Sequence, residues 1–579
     1  MSHASDATLR GAAPERHAPR TLLDALERNA HDDAPFLTFH GQAQPRRYDA
    51  RAAREDALRW AASLSPFVVR GEPVAILLPT STDFVGALLG AMYLGCPPLP
   101  LAAPMTFGPV DRYVAHLARI VEHAGARAVV TSARVAKALS ELPIATSLRA
   151  VLVPEHLDRP RGAVPDVSVA PSDTALLQYT SGTTGRPKGV RISHRALAAN
   201  TAAIADSLSL GPSDVGVSWL PLYHDMGLVG ALLTTISFPY ELHVMAPEAF
   251  VIRPRKWLEL VHTHRATLST APNFAYDLAA KKASADGLDL SSWRLALDGA
   301  EPVHASTLAR FHERFGAAGL AREALTPVYG LAEATLAVTF HPTRTPLDVL
   351  EVDRDALDRL ARAVPASSGG ASDRSRSLVG VGGPVPGTEL RILRDDGTTC
   401  GVGEVGEIAV RGPGLMDGYH RDEEASARSL VDGWLRTGDL GLVERERLFI
   451  TGRRRELIIQ AGRNVHPEDV EEIARECDPR ITTAAAFSIT ASARGTDQLV
   501  VALEARGVAA EDRTTLADAV RGEVLAAIGI RADDVVFWPV GTIPRTTSGK
   551  VQRKGCAASY ETMRDALEDA RGLETGGAR

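Results

Sequence analysis

The densest run of reactive residue types spans Leu176 to Val190, reading LLQYTSGTTGRPKGV. An apolar stretch feeds a loop of hydroxyls and glycines, Thr180, Ser181, Gly182, Thr183 and Thr184, that ends in Lys188. Glycine lets a backbone approach a phosphate closely, the hydroxyls can donate to its oxygens, and lysine adds charge. A Walker loop needs Gly at 187 and Ser or Thr at 189; Pro187 and Gly189 stand there, which excludes a P-loop NTPase. Lysine is also scarce, with only 7 among the 64 basic residues. A lysine in a glycine-rich loop is therefore a candidate for chemistry that needs a compact ammonium.

Three other patterns carry less. Gly401, Gly403 and Gly406 fit a dinucleotide-binding spacing, but Glu407 to Arg411 alternates like a strand where a helix would have to begin, so a β-turn pair is expected. Ala205 to Leu208 faintly resembles a phosphopantetheine attachment site but lacks its glycines. His262 and His264 have metal-like spacing without a third ligand in sight, and a structural role is expected for both.

The elements that must position such a loop follow from patterning over 579 residues, a length that allows several domains. Helical patterns such as Ala52 to Ser65 alternate with apolar runs at Val74 to Leu78, Ala128 to Thr131, Val215 to Leu220, Thr267 to Ser269 and Leu295 to Leu297. That alternation predicts βαβ units and mostly parallel sheets. From Leu378 to Val410 short β runs with Gly and Pro turns predict a small barrel or meander. The last ~125 residues read as a compact α+β unit. The fold class is thus α/β: a large N-terminal body of two βαβ sheets plus a small β-barrel, then a small α+β lid. The expected boundaries are a flexible arm at 1–20, a body at 21–454 with a flexible insertion near 342–377, and a lid at 455–579.

Composition removes whole classes of function. Hydrophobic content of 45% and charged content of 23% are globular values, and a net charge of −7 argues against a nucleic-acid partner. The uncharged stretch from Phe84 to Pro109 is broken by Pro97, Pro98, Pro100 and Pro104, so a buried helix, a turn and a short strand are expected rather than a membrane span. Four scattered cysteines and an N-terminus without an apolar core predict a reduced, cytoplasmic protein.

The loop resembles the phosphate loop of adenylate-forming enzymes, and the resemblance continues in order along nearly the whole chain. It runs through Gly299-Ala300-Glu301-Pro302, Tyr329-Gly330-Leu331-Ala332-Glu333-Ala334, Gly433 to Asp439, Ile450 to Arg453 and Pro544 to Lys550. Within that superfamily the details are most similar to fatty acyl-AMP ligases. Carrying this are Ser218 to Gly227, Ala271 to Tyr276, Val352-Asp353-Arg354, Val381 to Gly387, and Gly462-Arg463-Asn464 with Pro467 and Asp469. Two departures are His466 where tyrosine is usual and Glu468 where glutamine is usual, both on what the family makes its carrier-facing surface.

The resemblance implies ATP-dependent activation of a fatty acid to acyl-AMP with release of pyrophosphate. Acyl transfer to the phosphopantetheine thiol of a separate acyl carrier protein would follow. A fatty acyl-CoA ligase is the alternative, and a catalytically silent nucleotide-binding scaffold a third. ATP and Mg²⁺ are the implied cofactors. Lys550 is the implied catalytic charge, with Thr180, Ser181, Gly182, Thr183, Thr184 and Lys188 at the phosphates. Gly299, Ala300, Glu301, Tyr329, Gly330 and Leu331 would frame the adenine, with Tyr329 stacked on it. Asp439 would accept the ribose hydroxyls, Arg453 would assist, and Glu333 would hold the metal. His224 and Asp225 are placed on the acyl side, Arg455 at the hinge, and Lys554 on the surface.

Overall fold

The computed structural model describes residues 6–31, 35–41, 44–103, 110–157, 167–180, 188–366, 375–460, 463–490, 497–528, 530–546 and 549–576. Two open sheets carry the body. The first has four parallel strands, ordered Pro98–Pro100, Val74–Leu77, Ala128–Thr131, Ala150–Leu152. The second has nine strands, with Leu325–Gly330, Leu295–Asp298, Leu268–Ala271, Val215–Ser218, Glu241–Met245 and Pro35–His40 parallel in its middle and antiparallel strands at both ends. Parallel strands buried on both faces read as short continuous apolar runs, which is why VAIL, AVVT and LALD announced themselves. The uncharged stretch is the buried helix Thr82–Tyr93 followed by the strand Pro98–Pro100, as its prolines require. Among the described residues no helix is long and apolar enough to cross a membrane.

The short β runs after Leu378 belong to a six-stranded antiparallel sheet. Its edge strand is Thr8–Arg10, paired with Glu389–Leu393. The described part of the expected N-terminal arm is therefore not loose. Ala7 is fully buried, and the Glu15 and Arg16 amides donate to Asp206 at 3.0 and 3.2 Å. Strand pairing and a capped carboxylate outweigh the polar composition that suggested flexibility.

The insertion near 342–377 is likewise mostly ordered. Val349–Asp353 pairs with Ser375–Val379, and the helix Arg354–Leu360 starts on an Asp353 cap. Residues 367–374, the most polar part of that segment, lie outside the described residues. The dinucleotide-like glycines form a turn before the strand Gly406–Arg411. Ala205 to Leu208 closes the helix His194–Ser207, with Asp206 engaged by Arg16.

The small C-terminal domain packs the helices Pro467–Cys477 and Asp512–Ile528 on the strands Ile481–Thr490, Asp497–Ala505 and Asp534–Trp538. It has its own core around Val470, Leu499, Val501 and Val520. Cys96, Cys400 and Cys556 are buried, Cys477 is partly so, and all four are free thiols.

Candidate active site

A cavity of about 2010 Å³ opens between the body and the C-terminal domain. The loop residues Ser181, Gly182, Thr183 and Thr184 lie outside the described residues, but its two flanks are in place. Thr174–Thr180 and Lys188–Ser193 pair antiparallel, with Thr180 opposite Lys188 at the open end. A third strand, Gly418–Tyr419, pairs with Arg191 and Val190 and brings Tyr419 beside the lysine. The Lys188 ammonium sits 4.6 Å from the centroid of the Tyr419 ring. The Tyr419 hydroxyl in turn donates to Glu333 Oε1 at 2.8 Å.

Glu333 keeps one carboxylate oxygen without a hydrogen bond among the described residues. A single hard oxygen facing the cavity suits a magnesium ion, which takes one or two carboxylates and fills its shell with phosphate and water. The residues fit the ion.

Gly299 and Gly330 are glycines because neighbouring chain leaves no room. A Cβ at 299 would meet Val328 Cγ2 at 2.5 Å, and one at 330 would meet the Leu336 carbonyl at 2.0 Å. Ala300 follows with a φ of 69°, a left-handed conformation that is strained for alanine. Together they turn the ends of two parallel strands into a wall that the cavity runs along, the usual location for a ligand in an α/β sheet. Leu331 lines the same wall.

Tyr329 and Asp439 meet in that wall. The tyrosine hydroxyl donates to Asp439 Oδ2 at 2.7 Å, and Arg453 Nε donates to Oδ1 at 2.8 Å. Each carboxylate oxygen retains a lone pair for a further donor. Sequence reasoning missed this bond, and it missed Glu407. That buried acid accepts from Arg436 Nε at 2.9 Å and from the Gly438 amide at 3.1 Å, which fixes the turn before Asp439. The only signal was an acid beside the apolar run Ile408 to Val410.

Lys550 enters from the C-terminal domain on a tight loop. Its amide donates to Thr546 Oγ1 at 3.0 Å, its carbonyl accepts the Thr546 amide at 2.7 Å, and Arg545 donates to the Gly549 carbonyl at 2.7 Å. Burial pushes the Lys550 ammonium below the ordinary lysine value; Arg453 adds to this, while Asp225, Glu301 and Asp439 oppose it. Burial alone would raise the Asp225 carboxyl, but His224, Lys550 and the Met226 amide hold it low. His224 Nδ1 lies 2.8 Å from Asp225 Oδ1, just before a π-helical segment, Met226–Leu233. Such segments are common at functional sites. Burial raises Glu301, whose Oε1 accepts the Phe274 amide.

Arg455 is exposed in the turn that follows Arg447–Arg453 and lines the cavity rim. Lys554 is exposed, one turn beyond Lys550. His262 and His264 do not pair with each other: His262 Nδ1 accepts the Asp289 amide at 3.0 Å, while His264 stacks on His243.

The cavity's far arm is apolar, lined by Ile204, Leu208, Leu210, Tyr240, Leu242 and Leu268. Its mouth is closed by contacts between body and C-terminal domain that the sequence did not reveal. Arg354 donates to Asp469 Oδ2 at 2.6 Å and Arg376 lies 3.0 Å from Oδ1, all three side chains at most one-tenth exposed. His304 Nδ1 lies 3.0 Å from Glu472. Within the C-terminal domain itself, Arg553 is bound by Glu456, Glu468 and Glu471. His466 and Glu468 are therefore interior residues and not an exposed carrier-facing surface. His466 packs against Gly452, and burial holds its imidazole down to about 4.

A family model described as AMP-binding enzyme matches residues 26–420. A putative acyl-CoA synthetase from Caulobacter vibrioides is 35% identical over 497 residues, covering 85% of this chain and 86% of its own. A medium-chain-fatty-acid–[acyl-carrier-protein] ligase from Moorena producens is 31% identical over 568 residues, covering 93% and 95%. A solved structure among those of fatty acyl-adenylate ligases from E. coli and L. pneumophila superposes with a TM-score of 0.88 at 33% identity, covering 95% of this chain and 99% of its own.

Proposed function

This chain belongs to the AMP-binding enzyme family, and from that premise we infer that it is a fatty acyl-AMP ligase. It activates a fatty acid with ATP to acyl-AMP, releases pyrophosphate, and passes the acyl group to the thiol of a carrier protein. The observation that carries this reading is the continuity of one cavity. An apolar arm suited to an alkyl chain runs into a polar end holding Lys188, Glu333, Asp439, Arg453 and Lys550.

Adenylation forms a bond between a carboxylate oxygen and the α-phosphorus and breaks the bond to pyrophosphate. No covalent nucleophile is needed; charge on phosphoryl oxygens must be positioned and neutralised. Lys550 is assigned the ammonium that spans the acyl carboxylate and the phosphate, poised by Asp225 and Glu301. Lys188 and the hydroxyl loop at 180–184 are assigned to the outgoing phosphates. Asp439, preset by Tyr329 and Arg453, is assigned to the ribose hydroxyls, and Gly299, Ala300, Gly330 and Leu331 to the purine. When bound at Glu333, Mg²⁺ would supply further phosphate neutralisation. His224 and Asp225, which line the same cavity with Asp225 in electrostatic reach of Lys550, are assigned to the acyl side. The segment 455–579 is assigned the role of a lid turning at Arg455, so that one cavity serves both half-reactions.

The test mixes the purified protein with dodecanoate, ATP and Mg²⁺, with and without CoA or a phosphopantetheinylated carrier protein, and identifies products by mass. Acyl-AMP in every tube and acyl-carrier in the last is expected. Stoichiometric dodecanoyl-CoA would overturn the carrier reading in favour of a CoA ligase.

A further inference from the structure

Away from the cavity, three histidines from distant parts of the chain converge. His40 ends the strand Pro35–His40, His243 lies in the neighbouring parallel strand Glu241–Met245, and His264 caps the helix Arg255–Thr263. His243 is registered opposite Thr38, so the alternation of side chains puts His243 and His40 on one sheet face. Leu242, next to His243 in the strand, points the other way and lines the acyl arm of the cavity.

The rings are in contact. His243 and His264 stack with centroids 3.7 Å apart, and His40 Nε2 lies 2.9 Å from His243 Nδ1. One ring nitrogen from each of the three lies within 4.8 Å of the others. His243 is 2% exposed, and its Nε2 makes no hydrogen bond although the Glu241 carboxylate approaches to 3.1 Å. Thr38 Oγ1 beside it is also buried without a partner. Buried polar atoms left unsatisfied in this way ask for a missing group.

We propose that His40, His243 and His264 form a site for a divalent transition-metal ion of the zinc type, with water completing its shell. Three imidazoles suit zinc, cobalt, nickel or copper, and do not suit magnesium or calcium, which want oxygen. Zinc–nitrogen bonds of roughly 2.0–2.1 Å need ligand nitrogens roughly 3.4 Å apart. His264, partly exposed at a helix end, is the ring free to unstack and close that gap. Arg47 and Glu241 both act electrostatically on the cluster, with opposite sign. The ion would staple two strands and a helix directly behind the wall of the acyl arm.

The full-length protein, stripped with chelator and dialysed, is titrated with Co²⁺ and then with Zn²⁺. One equivalent of cobalt is expected to give the intense visible bands of a four- or five-coordinate ion, displaced by zinc. H264N and H40Q should each weaken binding by at least about 10–100-fold, since loss of an outer partner alone does that much. H262N, which removes the neighbouring histidine outside the cluster, should bind as wild type does. Melting in chelator confirms that each variant is folded. Equal cobalt spectra and stoichiometry in wild type and both cluster variants, or only a pale six-coordinate spectrum, would overturn the site.

Discussion

The Tyr329 hydroxyl donates to Asp439 Oδ2 at 2.7 Å while Arg453 holds the other oxygen, so the carboxylate is oriented before any nucleotide arrives. A hydrogen bond to a charged group contributes about 1.5–3 kcal/mol. Y329F should therefore weaken ATP roughly 10- to 100-fold, read as the dissociation constant by calorimetry, with the fold intact. An unchanged constant would mean that Asp439 needs only Arg453, or does not hold the ribose.

Lys550 is pushed below the ordinary lysine value chiefly by burial. Its charge is lost as pH rises through that lowered value, so pyrophosphate release should fall on the alkaline side earlier than a free lysine would dictate. K550R, charged throughout, should abolish that alkaline limb while lowering the rate. K550A should cost about 10²–10³-fold in adenylation, the usual size for one charge-stabilising donor. A pH profile identical in K550R and wild type would remove Lys550 from the chemistry.

Asp298 is fully buried beside the site, with both carboxyl oxygens unpartnered, and burial lifts its carboxyl well above the ordinary range. A folded-state value above the unfolded one gives stability that is present at low pH and lost as pH rises. D298N carries no charge to bury. Its Tm relative to wild type should therefore climb between pH 5 and pH 8, measured by thermal unfolding. A constant difference across that range would show that Asp298 is already ionised in the folded protein and is not raised.

The clasp of Arg354 and Arg376 on Asp469 ties the ordered insertion to the C-terminal domain. Removing the sole partner of a buried charge costs about 3–5 kcal/mol; losing Arg354 should cost less, because Arg376 still holds Asp469. R354A should accelerate tryptic cleavage in the exposed turn at Arg453 to Arg455, followed by gel and mass. Cleavage at the wild-type rate would show that the C-terminal domain is held by other contacts, such as His304 with Glu472.

Local patterns carried far in this chain. Apolar runs flanked by turn residues located the parallel strands, and prolines after Phe84 separated a buried helix from a membrane span. The motif order shared with adenylate-forming enzymes singled out Lys188, Glu333, Asp439 and Lys550, which line one cavity, and glycine is demanded at Gly299 and Gly330, where any Cβ would strike the chain.

What the sequence determined by itself was thus the residue types that local backbone geometry and short-range chemistry demand. Only the tertiary structure decided which distant side chains would share charge or protons. Tyr329 with Asp439, Arg354 with Asp469, and His40 with His243 are separated by 110, 115 and 203 residues. Periodicity has no reach over such distances. The same reason turned Thr8–Arg10 of the polar arm into a paired edge strand and gave the insertion a strand pair and a helix. A polar segment looks flexible until a partner strand and a carboxylate, supplied from elsewhere in the chain, satisfy its backbone.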